Sequence, residues 1–302
     1  MEVLIANLRG GLCNKIICLS QACIIAEKEG IKILEPRFGW IKNGKWHKIK
    51  FSEIYDLDYF NERMKEFTNN KVAIEKEKPN VVYNGRNWKY YKKAREYLWI
   101  EATPIMKKIR GKNDWTNTMI LYVLKSLRLN EVNTNIVRNF MNLEEIDSFH
   151  IRIESDWKTY AKKGNIKKRQ LSNEVVLIDL ERLIQMYKEK WQSNGKKMFF
   201  TTGENQENVK KTLKNNDIEG YYYYNNNLEY EINAAINFEL CCLAKNFIGI
   251  SSSTFSNFIS LRRCLLNKNN SYIYNYKNSI IERLDKGLHT NPQAAIERRV
   301  KL

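Results

Sequence analysis

MEVLIANLRGGLCNKIICLSQACIIAEKEGIKIL, residues 1–34, decides the fold. Glu2 to Asn7 reads as a strand, Arg9-Gly10-Gly11-Leu12 as a tight turn, and Asn14 to Lys28 as a helix with apolar residues at helical spacing. Gly30 closes that helix, and Ile31 to Leu34 is the next strand. A strand, a helix and a second strand in this order imply parallel pairing through a right-handed crossover. Further on, residues 51–67 (FSEIYDLDYFNERMKEF) read as a short connection and a helix, and Asp114 to Leu127 as another helix. The aromatic and basic stretch 83–113 has no assignable period.

A second alternating series begins near Ser148. The strands are expected at Phe149 to Ile153, Lys197 to Thr201, Gly220 to Tyr224 and Asn246 to Ile250. Between and after them the helices are expected at Val175 to Lys190, Glu207 to Lys214, Ile232 to Ala244 and from Ser256 to Arg263. Alternation of this kind marks a doubly wound α/β domain. The chain therefore divides into Rossmann-like domains at 1–146 and 147–278, with parallel sheets facing a central cleft. A charged, helix-compatible segment, 279–302, is expected to pack back on the first domain.

The chain has 302 residues, 43% hydrophobic, with only 4 Pro, which excludes collagen-like and largely disordered classes. Its net charge of +17 favours anionic ligands without choosing among them. Six cysteines without paired spacing, and histidines only at 47, 150 and 289, argue against zinc and for reduced thiols. The opening strand has no basic leader pattern, and no apolar window reaches the roughly 18 residues of a membrane span. A cytoplasmic protein is the expectation.

Three segments at strand ends carry candidate chemistry. In Arg9 to Lys15, Gly10 and Gly11 let the backbone approach a ligand, and the helix after them offers free N–H groups to an anion. A plain turn with Asn14 as helix start explains the same residues. In His150-Ile151-Arg152-Ile153-Glu154-Ser155-Asp156-Trp157, period-two alternation puts His150, Arg152 and Glu154 on one strand face. Arg152 is then either a bidentate phosphate ligand or half of a buried Arg152–Glu154 pair. In Phe247 to Ser256, an apolar strand runs into a hydroxyl-rich turn and a helix, which makes an anion cradle or a plain cap.

Together the three segments resemble the O-fucosyltransferase family of GDP-fucose-dependent glycosyltransferases. The resemblance lies in G-x-x-x-N at Gly10 to Asn14, H-x-R-x-x-x-D-W at His150 to Trp157, and F-I-G…S-T-F-S at Phe247 to Ser256. FSEIYDLDYF at 51–60 matches the segment after the family's second strand. The resemblance implies a GT-B fold and inverting transfer with no essential metal or other cofactor. It further implies that Asn14 faces donor and acceptor, that Arg152 grips the β-phosphate, and that His150 and Asp156 hold the nucleoside. Ser253, Thr254 and Phe255 would bind phosphates and orient the sugar, and Glu239 would contact the base. No loop glutamate is present to serve as general base, which leaves Glu154 and Glu35 as candidates.

The donor is expected to be GDP-fucose or, with the same fold, another nucleotide sugar such as a UDP-sugar. A glycan, a lipid-linked sugar or a protein hydroxyl would be the acceptor. Asp56-Leu57-Asp58 has metal-motif spacing but reads as a helix start. The basic runs at 107–110 and 162–169 are solvated surface or a peripheral membrane contact. A basic nucleic-acid-binding protein is the rival class, resting on the charge and on RNWKYYKKAREYLW at 86–99. It lacks zinc spacing and any recognisable helix-turn-helix or RNA-binding motif, so no nucleic-acid partner is expected.

Overall fold

The computed structural model describes residues 3–8, 10–42, 44–76, 114–140, 142–162, 175, 177–192, 196–251 and 253–283. The chain separates into two units, Met1–Asn139 with Asn226–Ile236, and Phe140–Asn225 with Asn237–Leu302. The runs at 86–99, 107–110 and 163–169 lie outside the described residues.

In the first unit, β1 (Val3–Leu8) pairs in parallel with β2 (Lys32–Lys42), as the opening stretch requires. The helix between them, α1 (Leu12–Glu29), begins two residues earlier than expected, and Gly30 closes it in the left-handed region at φ 67°. Strand β2 runs well beyond the expected Leu34. The register slips at Pro36: Ile5 faces Leu34 while Asn7 faces Arg37, which gives the residue without an N–H a bulge to occupy. After Lys42 the chain turns back as β3 (Lys45–Lys50), an antiparallel hairpin absent from the sequence reading, although Asn43-Gly44 is a strong hairpin signal. Strand β4 (Ile74–Glu75) pairs with β2 at Ile33 and Leu34.

Helix α2 (Phe51–Ile54) leads into α3 (Leu57–Thr68), and α4 (Asp114–Ser126) and α5 (Glu131–Arg138) follow. The Asp56 side chain accepts the Tyr59 N–H and pairs with Arg128 at 2.6 Å, so Asp56-Leu57-Asp58 does start a helix.

Helix α1 is buried nearly all round, so its one buried cation needs an answer. Lys15 Nζ donates to Glu231 Oε1 in a fully buried ion pair. Glu231 lies in the first turn of α9 (Tyr230–Leu243), and the boundary between units falls inside that helix.

The second unit carries the six-stranded sheet β10-β9-β8-β5-β6-β7. Its strands are β5 (Asp147–His150), β6 (Lys197–Thr201), β7 (Glu219–Tyr221), β8 (Phe247–Gly249), β9 (Ser271–Tyr276) and β10 (Ser279–Glu282). Counted from its own first strand, the order is 3-2-1-4-5-6, that of a Rossmann domain, with only the last strand antiparallel. Around it stand α6 (Ser155–Lys162), α7 (Leu180–Trp191), α8 (Gln206–Asn215), the end of α9, and α10 (Thr254–Leu265). Helix α7 starts five residues later than expected, because Asp179 caps it by accepting the Arg182 N–H while Val175 bonds to Asn275 of β9. The helix expected from 279 is instead strand β10 over its first four residues, paired with β9 in the second unit; residues 284–302 lie outside the described set.

Two polar devices fix the middle of this sheet. Buried Asp147 accepts from Tyr187 Oη at 2.6 Å and from Asn246 Nδ2 at 2.7 Å. Arg263, fully buried, donates Nη1 to the carbonyls of Cys241, Cys242 and Ala244, and Nη2 to those of Lys245 and Asn270. It thereby closes the carbonyl end of α9 and sets the chain's entry into β8.

Lys15→Met leaves Glu231 buried without its counter-charge. We expect a loss of about 3–5 kcal/mol in urea denaturation, with most of it restored in Lys15→Met/Glu231→Leu. A single variant as stable as the parent would show that the pair carries no weight.

Candidate functional site

Strand order reverses between β5 and β8, and the carboxyl ends of those two strands are where an open α/β sheet takes a ligand. The structure brings His150, Arg152, Glu154, Phe255 and Ser256 together there. Strand β5 ends at His150, earlier than the expected Ile153; Ile151 N–H still reaches Thr201 O at 2.9 Å, and the chain then leaves the sheet. Arg152 and Glu154 therefore stand in the segment after the strand, not on its face.

His150 Nδ1 lies 2.7 Å from Ser256 Oγ, and its ring meets Phe255 at 4.9 Å. Ser256 Oγ also accepts the Ile250 N–H at 3.1 Å, tying the end of β8 to the start of α10. That approach requires glycine at 249, where a Cβ would come within 2.6 Å of the same oxygen. Burial, with Arg152 nearby, holds the imidazole pKa well below its ordinary value, so the ring is neutral.

The Arg152 guanidinium stacks over Trp157 at 4.9 Å and approaches Glu154 Oε1 at 3.4 Å, with 22% of its side chain exposed. Glu154 Oε1 accepts the Gly203 N–H at 2.7 Å, while Oε2 is buried without a hydrogen bond. The Arg–Glu pair is thus present, and the guanidinium still reaches solvent. Asp156 is the second residue of α6, and its side chain lies outside the described set.

Beyond β8, a buried network holds the turn. Ser251 and Asn275 exchange two bonds, Asn257 Nδ2 donates to Ser251 O, and Arg283 Nη1 donates to Asn257 Oδ1 at 2.5 Å. Ser253 occupies the N-cap of α10 without making a side-chain cap, and Thr254 and Phe255 follow it, half-buried. Glu239, on α9, is half-buried; burial pushes its pKa up and Arg262 offsets part of the rise. Its neighbour Phe238 meets Phe255 edge-on at 5.8 Å.

Gly10, Gly11 and Asn14 lie in the first unit, all exposed. Gly10, at φ +81°, has Asn14 folded over it, so that a Cβ would meet Asn14 at 2.9 Å; above Gly11 the space is open. Lys15 is spent on Glu231 and offers no charge to this loop.

Helices α3, α5 and α7 are capped by Asp56, Asn130 and Asp179. Helices α1 and α10 have neither a capping side chain nor an acid in the first turn, so each start is open to an anion. A cavity of about 550 Å³ along α3 is lined by three carboxylates, Asp58, Glu62 and Glu66, against one cation, Lys65, a net charge of the wrong sign for a pyrophosphate.

Sequence reasoning missed the support beneath these residues. Gly249 and Trp157 stand inside the quoted segments but were given no role there, and Gly203 was signalled only by its place after a strand. Asn275 and Arg283, on or just past the last two strands, left no sequence signal.

No family model matches the chain, nor does any curated protein. Solved structures do. POFUT1 in complex with GDP-fucose superimposes with a TM-score of 0.58 at 13% identity, over 87% of this chain and 93% of that one. The fucosyltransferase NodZ from Bradyrhizobium gives 0.55 at 12%, over 93% and 98%. The α/β, GT-B-like fold expected from the sequence is the one found.

The His150 environment makes a pH prediction. An unfolded chain protonates this ring near 6.5, whereas the native ring resists until well below that value. The unfolded state then binds more protons, so stability falls as pH drops through 6.5 and levels off once the native ring also titrates. Between about pH 7 and about pH 5, the fall in melting temperature should be smaller in His150→Gln. An equal fall in both proteins would remove His150 as its source.

Proposed function

We propose that this protein is a glycosyltransferase that moves fucose from GDP-fucose to a hydroxyl of a glycan, a lipid-linked sugar or a protein, with inversion and without an essential metal. The observation that carries the reading is the switch point of the second sheet. There Arg152 leaves the end of one strand and the uncapped start of α10 follows the other. The likeness to POFUT1 in complex with GDP-fucose and to NodZ soaked with GDP-fucose supports this donor.

Departure of a nucleoside diphosphate builds charge on its β-phosphate, and fixed donors aimed at that phosphate lower the barrier. Arg152 supplies a planar fork, oriented by Glu154 and the Trp157 ring. Ser253, Thr254 and the N–H groups of α10 take the remaining phosphate oxygens. His150, Asp156 and Phe255 hold the nucleoside and sugar. A carboxylate at Glu239 can accept the N1–H and exocyclic amine of guanine, which uracil lacks. With Oε1 committed to Gly203, Glu154 is better suited to positioning Arg152 than to taking the acceptor proton. The buried thiols of Cys13, Cys23, Cys241 and Cys242 support action in the reducing cytoplasm.

GDP should raise the melting temperature of the purified protein, since a ligand of the native state alone stabilises it. Fucose transfer should persist in EDTA. A shift by a UDP-sugar but not by GDP would replace the donor, and loss of transfer on chelation, restored by manganese, would overturn metal independence.

Arg152→Lys keeps a charge beside Glu154 but loses the fork. Turnover should fall by roughly a hundredfold, about 3 kcal/mol of barrier, with little change in melting temperature. Near-normal turnover in the folded variant would take Arg152 out of the mechanism.

A further inference from the structure

The far end of the first sheet takes no part in this chemistry. Strand β1 pairs with β2 only as far as Phe38, and β4 touches only Ile33 and Leu34. From Gly39 to Lys48, β2 and β3 continue as a two-stranded ribbon with no further strand paired to it among the described residues. Two large apolar side chains stand exposed on it, Ile41 at 68% and Trp46 at 61%, directly opposite each other in the register. The Trp46 ring rests on Gly39, where a Cβ would fall 2.5 Å from it, and Trp40 stacks on His47 at 5.5 Å. The ribbon is thus stiffened without covering the Ile41–Trp46 pair.

Its charge is one-sided. From Lys32 to Lys50 there are five lysines and one arginine against a single acid, Glu35, which is buried and accepts the Ser52 N–H. An exposed indole and isoleucine among lysines complement an anionic bilayer. The indole suits headgroup depth, the isoleucine the acyl boundary, and the ammonium groups the anionic lipids. A soluble acidic glycan would use the cations and the indole but gives no reason to expose Ile41. We propose that the ribbon 39–48 seats this protein on an anionic lipid surface. The ribbon leaves the sheet at the end of β1 that leads into the Gly10–Asn14 loop. Where the glycosyltransferase reading holds, on which this step rests, a lipid contact there favours a lipid-linked acceptor.

Flotation of the full chain with phosphatidylcholine vesicles, with and without phosphatidylserine, tests the proposal. Binding should be at least about tenfold tighter to the anionic vesicles. It should weaken about tenfold in Ile41→Ser/Trp46→Ser at unchanged melting temperature. Lys45→Glu/Lys48→Glu should weaken it more than the charge-matched Lys210→Glu/Lys211→Glu on the second unit, and this comparison decides if the apolar variant misfolds. Equal binding to both vesicles overturns the proposal. So does undiminished binding of a folded Ile41→Ser/Trp46→Ser, or an equal effect of the two lysine pairs. If the ribbon variants instead lose binding to a soluble uronic-acid oligosaccharide while still floating, the surface is a glycan platform. Flotation needs no donor, so its outcome is independent of the GDP thermal shift.

Discussion

A charge taken out of water must be answered inside the fold, and three such groups organise this chain. Lys15 is answered by Glu231, which fixes the first turns of α1 and leaves the glycine loop before it exposed. Arg263 makes no ion pair among the described residues and takes five carbonyl oxygens instead, which anchors the run from α9 into β8. Glu154 is held by a backbone N–H of Gly203, and Arg152 stands beside it. In each case the buried charge fixes backbone next to a candidate ligand position.

The alternation of strand and helix was legible because buried parallel strands are short apolar runs and their helices keep a 3.6-residue period. Boundaries were less so, for identifiable reasons. Strand β2 runs on past the expected Leu34 because a bulge gives Pro36 a place in it. Ile153 extends the alternation of β5 after the chain has left the sheet. Asp179 could have been read as a cap within an otherwise helical pattern. Two of the candidate segments were found because glycine and hydroxyl residues at strand ends are a local signal, and the third because His150, Arg152 and Glu154 alternate with isoleucines. Glu231, 216 residues from Lys15, gives no local signal at all.

At the switch point, the side chains best suited to chemistry lie just outside regular structure, and buried groups position them. Ser256 Oγ joins His150 to the backbone of Ile250, at a separation that only glycine at 249 permits. Ser251, Asn257, Asn275 and Arg283 settle the turn behind it. Two helices begin here and at the glycine loop without the capping side chains that α3, α5 and α7 have.

The first unit is also discontinuous in the chain, since Asn226–Ile236 belongs with Met1–Asn139. Strands β5, β6 and β7 of the second unit all precede Glu231 in the sequence. On the ribosome, α1 therefore emerges long before the carboxylate that lets Lys15 be buried. The core of the N-terminal unit closes only after half of the other sheet has been synthesised. The two units are interleaved in time as well as in sequence, and a nascent chain stopped before residue 226 leaves the Lys15 site without its counter-charge.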